Sequence, residues 1–241
     1  MMPSNAIVII ADSHVSQAFP KEADDFFAML ERISALPYDV AFLGDVFELW
    51  VALDGYEGSL HKRFLDWCAA ELPKRRLLLL EGNHEYFAAT KRAAYFTQSV
   101  ETELMLDGGV LLAHGDLINT RDRKYRFMRF LFKSWLAKAV LGLLASYLGP
   151  RLAERIRVGL KSSNLKHKRK LPHEELERYA QIWAGKGAKS LIVGHFHENW
   201  RHLSRSGVEL NIVPEWRDDG QVALLDPASG KLECLPWRQL E

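Results

Sequence analysis

The sequence predicts an α/β fold in which strands alternating with helices build a first sheet and a later run of strands builds a second. Three observations carry this. Short apolar runs alternate with stretches of helical periodicity through the first part of the 241 residues, the pattern of parallel strands joined by helices. Five apolar runs stop at clusters of Asp, Asn, Glu and His, and the carboxyl ends of such strands are where ligand sites gather. From Arg201 onward short strand-like runs dominate, punctuated by Gly207, Gly220 and Gly230 at turn positions. At 48% hydrophobic and 26% charged, residues 1–241 fit one globular domain.

Residues 6–11, Ala-Ile-Val-Ile-Ile-Ala, read as a strand that stops at Asp12-Ser13-His14. The run is too short for a signal-peptide core, so it is a strand and not an address. Residues 21–36 set Phe26, Phe27, Leu30 and Ile33 at helical intervals, and Pro37 stops that helix. The run from Val40 to Leu43 is the next strand, and Gly44 lets the chain turn so that Asp45 stands at its mouth. After a polar loop at 54–58, residues 59–72 repeat the helical spacing with Leu60, Phe64, Leu65 and Trp67. Residues 76–80 form a strand ending in Glu81-Gly82-Asn83-His84-Glu85, and 86–96 a shorter helix. Strands at 110–113 and 190–193 end in His114-Gly115-Asp116 and Gly194-His195-Phe196-His197. The last strands are 201–204, 208–213, 222–225 and 232–235.

A carboxylate at a strand mouth is costly unless something pairs with it. Asp45 alone reads as a helix cap or turn residue, but five donor clusters in series read as a cation site. Asp12, His14, Asp45, Asn83, His114, His195 and His197 are seven candidate ligands, more than one tetrahedral ion uses. Two divalent ions sharing a carboxylate use them all. Nitrogen and oxygen donors without thiolate suit manganese, iron or zinc. A pair of ions about 3.5–4 Å apart is the clamp used for in-line displacement at phosphorus. The pattern therefore predicts metal-assisted hydrolysis of a phosphoester or pyrophosphate.

The ordered blocks Asp12-x-His14, Gly44-Asp45, Gly82-Asn83-His84, His114-Gly115-Asp116 and Gly194-His195-x-His197 resemble the calcineurin-like metallophosphoesterase superfamily, from residue 7 to about residue 226. Within it, the stretch from Gly44 to Trp50, the basic insert after Asp116 and the chain length resemble the UDP-2,3-diacylglucosamine diphosphatase family of lipid A biosynthesis. The resemblance implies a two-sheet β-sandwich flanked by helices, a four-layer fold. It implies one ion on Asp12, His14, Asp45 and His197, and a second on Asp45, Asn83, His114 and His195, with Asp45 bridging. Manganese is the expected metal, iron or zinc the alternatives. The implied reaction is hydrolysis of UDP-2,3-diacylglucosamine to UMP and 2,3-diacylglucosamine 1-phosphate.

Two departures accompany the resemblance. Gly82-Asn83-His84-Glu85 stands where that family typically carries Gly-Asn-Arg-Asp, and Pro214-Glu215-Trp216 replaces its usual Gly-containing block. His84 is expected to protonate the leaving oxygen or stabilise phosphoryl charge, with Glu85 fixing its tautomer. Asp116 is expected to orient the His114 loop. Asn83, His84, Lys161, Ser163, Asn164 and Lys168 are candidate substrate contacts. Glu48 and Trp50 either shape the pocket or serve as a helix-start residue and a core residue.

Composition breaks sharply at about 121–170, read as a helical cap insertion. Fifteen Lys and Arg there against Asp122 and Glu154 give +13 within a chain of net charge +1, leaving −12 for the rest. Arg126, Arg129 and Lys133 recur on one helix, with Phe127, Phe130, Leu131, Trp135 and Leu136 on its other faces, and Gly149-Pro150 ends it and begins another. Residues 139–148 are apolar nearly all round, yet far fewer than the roughly 20 that cross a bilayer. They are expected either to bury against the body as a helical hairpin or to offer an acyl groove on an anionic membrane surface. Nucleic acid is the lesser alternative, because the patch is rich in apolar residues and no RNA or DNA module is present. The expected partner is a nucleotide-linked glycolipid. Cys68 and Cys234, far apart, are expected as reduced thiols, and the chain as cytoplasmic and peripheral on the inner membrane.

Overall fold

The computed structural model describes residues 6–144 and 171–241. Its first sheet has four parallel strands, β1 (Ile7–Ile10), β2 (Asp39–Phe42), β4 (Leu77–Leu80) and β6 (Gln98–Val100). On the far side of β1, β12 (Gln221–Leu225) and β13 (Leu232–Pro236) continue it antiparallel, giving the order β13-β12-β1-β2-β4-β6. The second sheet runs β10 (Trp200–Leu203), β11 (Glu209–Ile212), β9 (Ser190–Val193), β8 (Val110–Ala113), β7 (Glu103–Leu106). A short parallel ribbon pairs β3 (Trp50–Val51) with β5 (Glu85–Tyr86).

The side-chain period of two explains why β1 reads as unbroken apolar sequence. Val8 and Ile10 face helices α1 (Pro20–Ser34) and α2 (Ser59–Glu71), where Phe26, Leu30 and Phe64 are buried with them. Ile7 and Ile9 face the other way, onto Leu112 and Ile192 of the second sheet. Behind that sheet, Leu111, Leu191 and Leu210 pack on Leu176 and Ala180 of helix α6 (His173–Ala184). The layers are therefore helices, sheet, sheet, helix, the four-layer order that the resemblance implied. Each fully buried large apolar side chain contributes about 1.5–3 kcal/mol, so these interlayer faces are what fix the strand mouths in space.

Register carries the mouths into alignment. Ile10 lies beside Phe42, and Phe42 beside Leu79. The pairing continues past the strand ends: Asp12 N donates to Gly44 O at 3.2 Å, His14 N to Asp45 O at 2.9 Å and Val15 N to Val46 O at 2.9 Å. Ala113 lies beside Val193, which brings the His114 and His195 loops together. Trp216 N donates to Ala11 O at 3.0 Å and ties the two sheets beside the site.

Three expectations are corrected. Residues 86–96 are not one helix: Tyr86 belongs to the ribbon, Phe87 takes φ 65°, and only a short helix α3 (Ala88–Lys91) and a 3-10 turn (Ala93–Tyr95) follow. The ribbon bonds Trp50 N to His84 O and Ala52 N to Tyr86 O hold the chain extended there. The basic helix does not run unbroken to residue 148. Helix α4 (Arg123–Phe132) ends, Lys133 and Ser134 turn, and α5 is helical from 135 to 144 among the described residues. Ser134 supplies the break because its Oγ accepts Ala137 N at 3.1 Å, the role of an N-cap.

The third correction concerns the apolar run. Of its described residues, Leu141 packs beside Leu49, Val51 and Leu53, whereas Val140 and Leu143 stay exposed, the latter at 80%. The hairpin burial expected for this run is not seen up to residue 144. Gly149, Pro150 and the remainder of the insert lie outside the described residues.

Candidate metal centre

Five of the seven candidate ligands take a backbone conformation that side chains ordinarily avoid. Asp12, His14, Asp45, His195 and His197 have φ between 44° and 66°. Each such residue costs of order 1–3 kcal/mol and persists only where its surroundings enforce it. Crowding sets the glycines beside them. A Cβ on Gly82 would lie 2.2 Å from Asp45 Oδ1, and one on Gly44, itself at φ 85°, would lie 2.5 Å from Gly82 N. The Asp45 and Asn83 loops touch backbone to backbone, and only glycine permits that.

The side chains converge as two groups that meet at Asp45. Asp12, His14 and His197 place ligand atoms within 4.8 Å of one another, as do Asp45, His114 and His195. His14 Nε2 lies 3.8 Å from Asp45 Oδ2, joining the groups. Asn83 belongs to the second: its Oδ1 is 3.1 Å from His114 Nε2. His84 forms a further triplet with His14 and Asp45, its Nε2 3.8 Å from Asp45 Oδ2.

Hydrogen bonds fix which nitrogen of His114, His84 and His197 faces the centre. A carbonyl oxygen only accepts, so His114 Nδ1 donates to Leu43 O at 2.7 Å and leaves Nε2 facing Asn83 and Asp45. His84 Nδ1 likewise donates to Glu48 O at 2.6 Å. His197 Nδ1 meets the Glu215 carboxylate, and its Nε2 sits 3.2 Å from Asp12 Oδ1. Glu85 does not hold the His84 tautomer, as the sequence had suggested. Its carboxylate instead accepts the backbone N–H of Asp45 at 2.7 Å, Val46 at 2.8 Å and Gly82 at 2.8 Å, pinning the two loops together. Asp116 takes Tyr125 Oη and Arg129 Nε, the latter at 2.6 Å, and so anchors the His114 loop to α4.

The electrostatics are those expected of a cation site. Burial by itself would raise Asp45, yet His84, His114, His14 and His195 hold its carboxyl well below the usual range. Burial likewise opposes ionisation of Asp12, and the His197 hydrogen bond and the His114 charge overcome it. Burial and the charge of His114 push His195 down to about 4, keeping the imidazole neutral as a ligand must be. Burial and the Asp45 charge push Glu85 up to about 8. Asp45 Oδ2 and His195 Nδ1 are buried without a hydrogen bond to any described residue. A buried carboxylate oxygen left so is expensive, and a divalent ion between the two groups satisfies it. The donor set fits a pair of such ions.

Of the remaining expected residues, Trp50 is fully buried core and gives its Nε1–H to Glu57 at 2.7 Å. Glu48 is no helix-start residue, since its backbone leads straight into the β3–β5 ribbon and its carbonyl serves His84. Lys161, Ser163, Asn164 and Lys168 lie outside the described residues. Glu215 is the functional neighbour that ligand counting missed. Its one signal was the departure at Pro214-Glu215-Trp216, which places a carboxylate where His197 needs an orienting acceptor.

A sandwich whose strand mouths gather paired His/Asp groups around one shared aspartate defines a metal-dependent phosphoester hydrolase. The profile of the calcineurin-like phosphoesterases matches residues 6–203, and the chain belongs to that family. It is similar to the UDP-2,3-diacylglucosamine hydrolase of Shewanella loihica, at 26% identity over 98% of this chain and 99% of that one. The enzyme of the same name from Psychromonas ingrahamii is 26% identical over 87% and 89%, and that from Ralstonia nicotianae 27% identical over 90% and 85%. Among solved structures, the hypothetical protein PH1004 of Pyrococcus horikoshii shares the fold at a TM-score of 0.51, with 11% identity over 96% of this chain and 87% of that one.

Proposed function

We propose that this hydrolase cleaves the pyrophosphate of UDP-2,3-diacylglucosamine, releasing UMP and 2,3-diacylglucosamine 1-phosphate. The observation that carries the reading is the juxtaposition of the Asp45-centred donor groups with an apolar, basic helical pair that leaves the His114 loop directly. Phe130 of α4 is 75% exposed, Trp135 of α5 79% and Leu143 80%. Arg126 stands on the same helix, and the insert as a whole carries the molecule's positive charge. An acyl chain and an anionic surface are the partners such a cap suits. Near full-length similarity to hydrolases of that name supports the same substrate.

Asp12, His14, Asp45 and His197 would hold one ion and Asp45, Asn83, His114 and His195 the other, manganese being the metal we assign. When bound, the pair supplies positive charge for the phosphoryl oxygens and activation of water. His84 faces the centre through Nε2 while Nδ1 is committed to Glu48 O, so as an imidazolium it delivers a proton at Nε2 to the leaving oxygen. Glu85 keeps the Asp45 and Asn83 loops in register, and Glu215 orients His197. No described helix is long and apolar enough to cross a membrane, and we place the chain as one domain with its cap, cytoplasmic, peripheral on the inner membrane.

A second reading has its own observation. His84 stands where Arg is usual for that substrate, and Gly-Asn-His-Glu suits a calcineurin-like phosphodiesterase or phosphatase acting on a nucleotide or phosphoprotein. Purified protein with Mn2+ and UDP-2,3-diacylglucosamine, assayed for UMP beside a panel of dinucleotides, cyclic nucleotides and phosphopeptides, separates the two. Preferential UMP release is expected. Turnover of the panel without UMP would transfer the assignment to the second reading.

A further inference from the structure

Helix α4 has, opposite its exposed apolar side, a polar line that is fully engaged. Tyr125 and Arg129 of the helix and Lys133 at its C-terminal cap are spaced i, i+4 and i+8, one stripe along this side. Tyr125 and Arg129 hold the Asp116 carboxylate, and Arg129 Nη2 donates onward to Glu101 O at 3.2 Å. Lys133 Nζ donates to Glu81 Oε2 at 2.8 Å and to the Gly82 carbonyl at 2.9 Å. Glu81 is 1% exposed and Lys133 9%, so this is a buried ion pair between cap and body. The other oxygen of Glu81 accepts Ala89 N at 2.8 Å, which fixes the carboxylate on both sides.

The partners of this stripe are not scattered. Gly82 directly precedes Asn83, and Asp116 lies two residues beyond His114. The stripe therefore grips two of the loops that deliver the second group of donors, those of Asn83 and His114. None of its contacts reaches Asp12, His14 or His197. Breaking a buried pair strands a charge in a site that cannot hydrate it, so loss of Lys133 is felt at the Asn83 turn.

We propose that α4 is a strut for the second ion alone, with Lys133 positioning Asn83 through Glu81 and the Gly82 carbonyl, and Arg129 positioning His114 through Asp116. This rests on the reading that Asn83 and His114 hold that ion. Lys133 and Arg129 are positioning residues and touch neither ion nor substrate.

The test is Lys133→Met in the full chain, stripped of metal and titrated with Mn2+, with bound and free ion counted by electron paramagnetic resonance. Steady-state rates on a small soluble phosphodiester accompany the titration. The first ion is expected to bind as in wild type and the second roughly 10–100-fold more weakly. Turnover then falls at limiting Mn2+ and recovers at saturation, KM stays put, and Lys133→Arg restores most of the loss. Two ions bound with wild-type affinities would overturn the strut, and so would equal weakening of both. A wild-type chain that bound a single ion would instead remove the two-ion reading beneath it. Should Lys133→Met not fold, Lys133→Gln drops the charge, keeps a donor for Gly82 O and carries the same readouts.

Discussion

Glu215 shows how much a single side chain behind a ligand decides. With its carboxylate on His197 Nδ1, the ring can turn only Nε2 toward Asp12. Glu215→Gln keeps the size and loses the charge, and is expected to weaken the first ion roughly 10–100-fold while leaving the second unchanged, as read by calorimetric metal titration. His84 carries the opposite signature. Its ring is buried beside His14 with centroids 4.9 Å apart, and it contacts Asp45 without being counted among the seven ligands. His84→Gln should lower kcat by roughly 10²–10⁴-fold with two ions still bound. If metal content fell with rate, His84 would be a ligand and not an acid.

At the scale of elements, the join between α1 and α2 holds up the first sheet. Arg75, just beyond α2, donates Nη1 to Ile33 O at 3.0 Å, Leu36 O at 2.8 Å and Tyr38 O at 2.7 Å, satisfying carbonyls left open where α1 ends. Its Nε is paired at 2.8 Å with Glu71. Burial opposes the Glu71 charge, but the Lys74 hydrogen bond and the Arg75 charge win and hold its carboxyl below the ordinary 4.5. A depressed carboxyl stabilises the fold above its unfolded value, and that contribution disappears as pH falls through the folded value. Wild type should therefore melt above Glu71→Gln at pH 7, and the gap should close as pH drops below about 4.5, measured by differential scanning calorimetry. A gap that widened on acidification would contradict the assignment.

Across the whole molecule, a net charge near zero conceals strong polarity. The 121–170 insert carries +13 and the remainder −12, while Phe130, Trp135 and Leu143 face outward. On the proposed reading this basic sequence meets anionic lipid, and forces of that kind fall off within a Debye length, about 8 Å at physiological salt and 3 Å at 1 M. Hydrolysis of vesicle-borne substrate should therefore fall several-fold between about 0.05 and 0.5 M NaCl, whereas turnover of a small soluble diester should hardly change. Equal salt sensitivity of both would place the effect at the metals instead of the cap. Chelation by EDTA should abolish both activities, and Mn2+ should restore both.

Much of this was written in residue order. Alternation and apolar runs marked β1, β2, β4, β8 and β9, and the residue types at their ends, Asp, Asn and His without Cys, pointed to a metal centre and to phosphoester hydrolysis, because strand mouths in such sheets are local, directional features. The helix at His173–Ala184 was not among the elements expected from the sequence; its Leu176 and Ala180 are buried against the second sheet. Other features depended on partners distant in sequence. Nothing near Glu85 says that its carboxylate joins Asp45 to Gly82, the departure at Pro214-Glu215-Trp216 does not say that the Glu215 carboxylate meets His197, and nothing near Lys133 says that it reaches Glu81. The sequence by itself determined the candidate donors, the layers and the class of reaction, since those follow from periodicity and donor chemistry. Which atoms of the candidate donors face one another, which loops are locked together, and which side of the cap helix is left bare were decided only by tertiary packing, which brings together groups far apart in the chain.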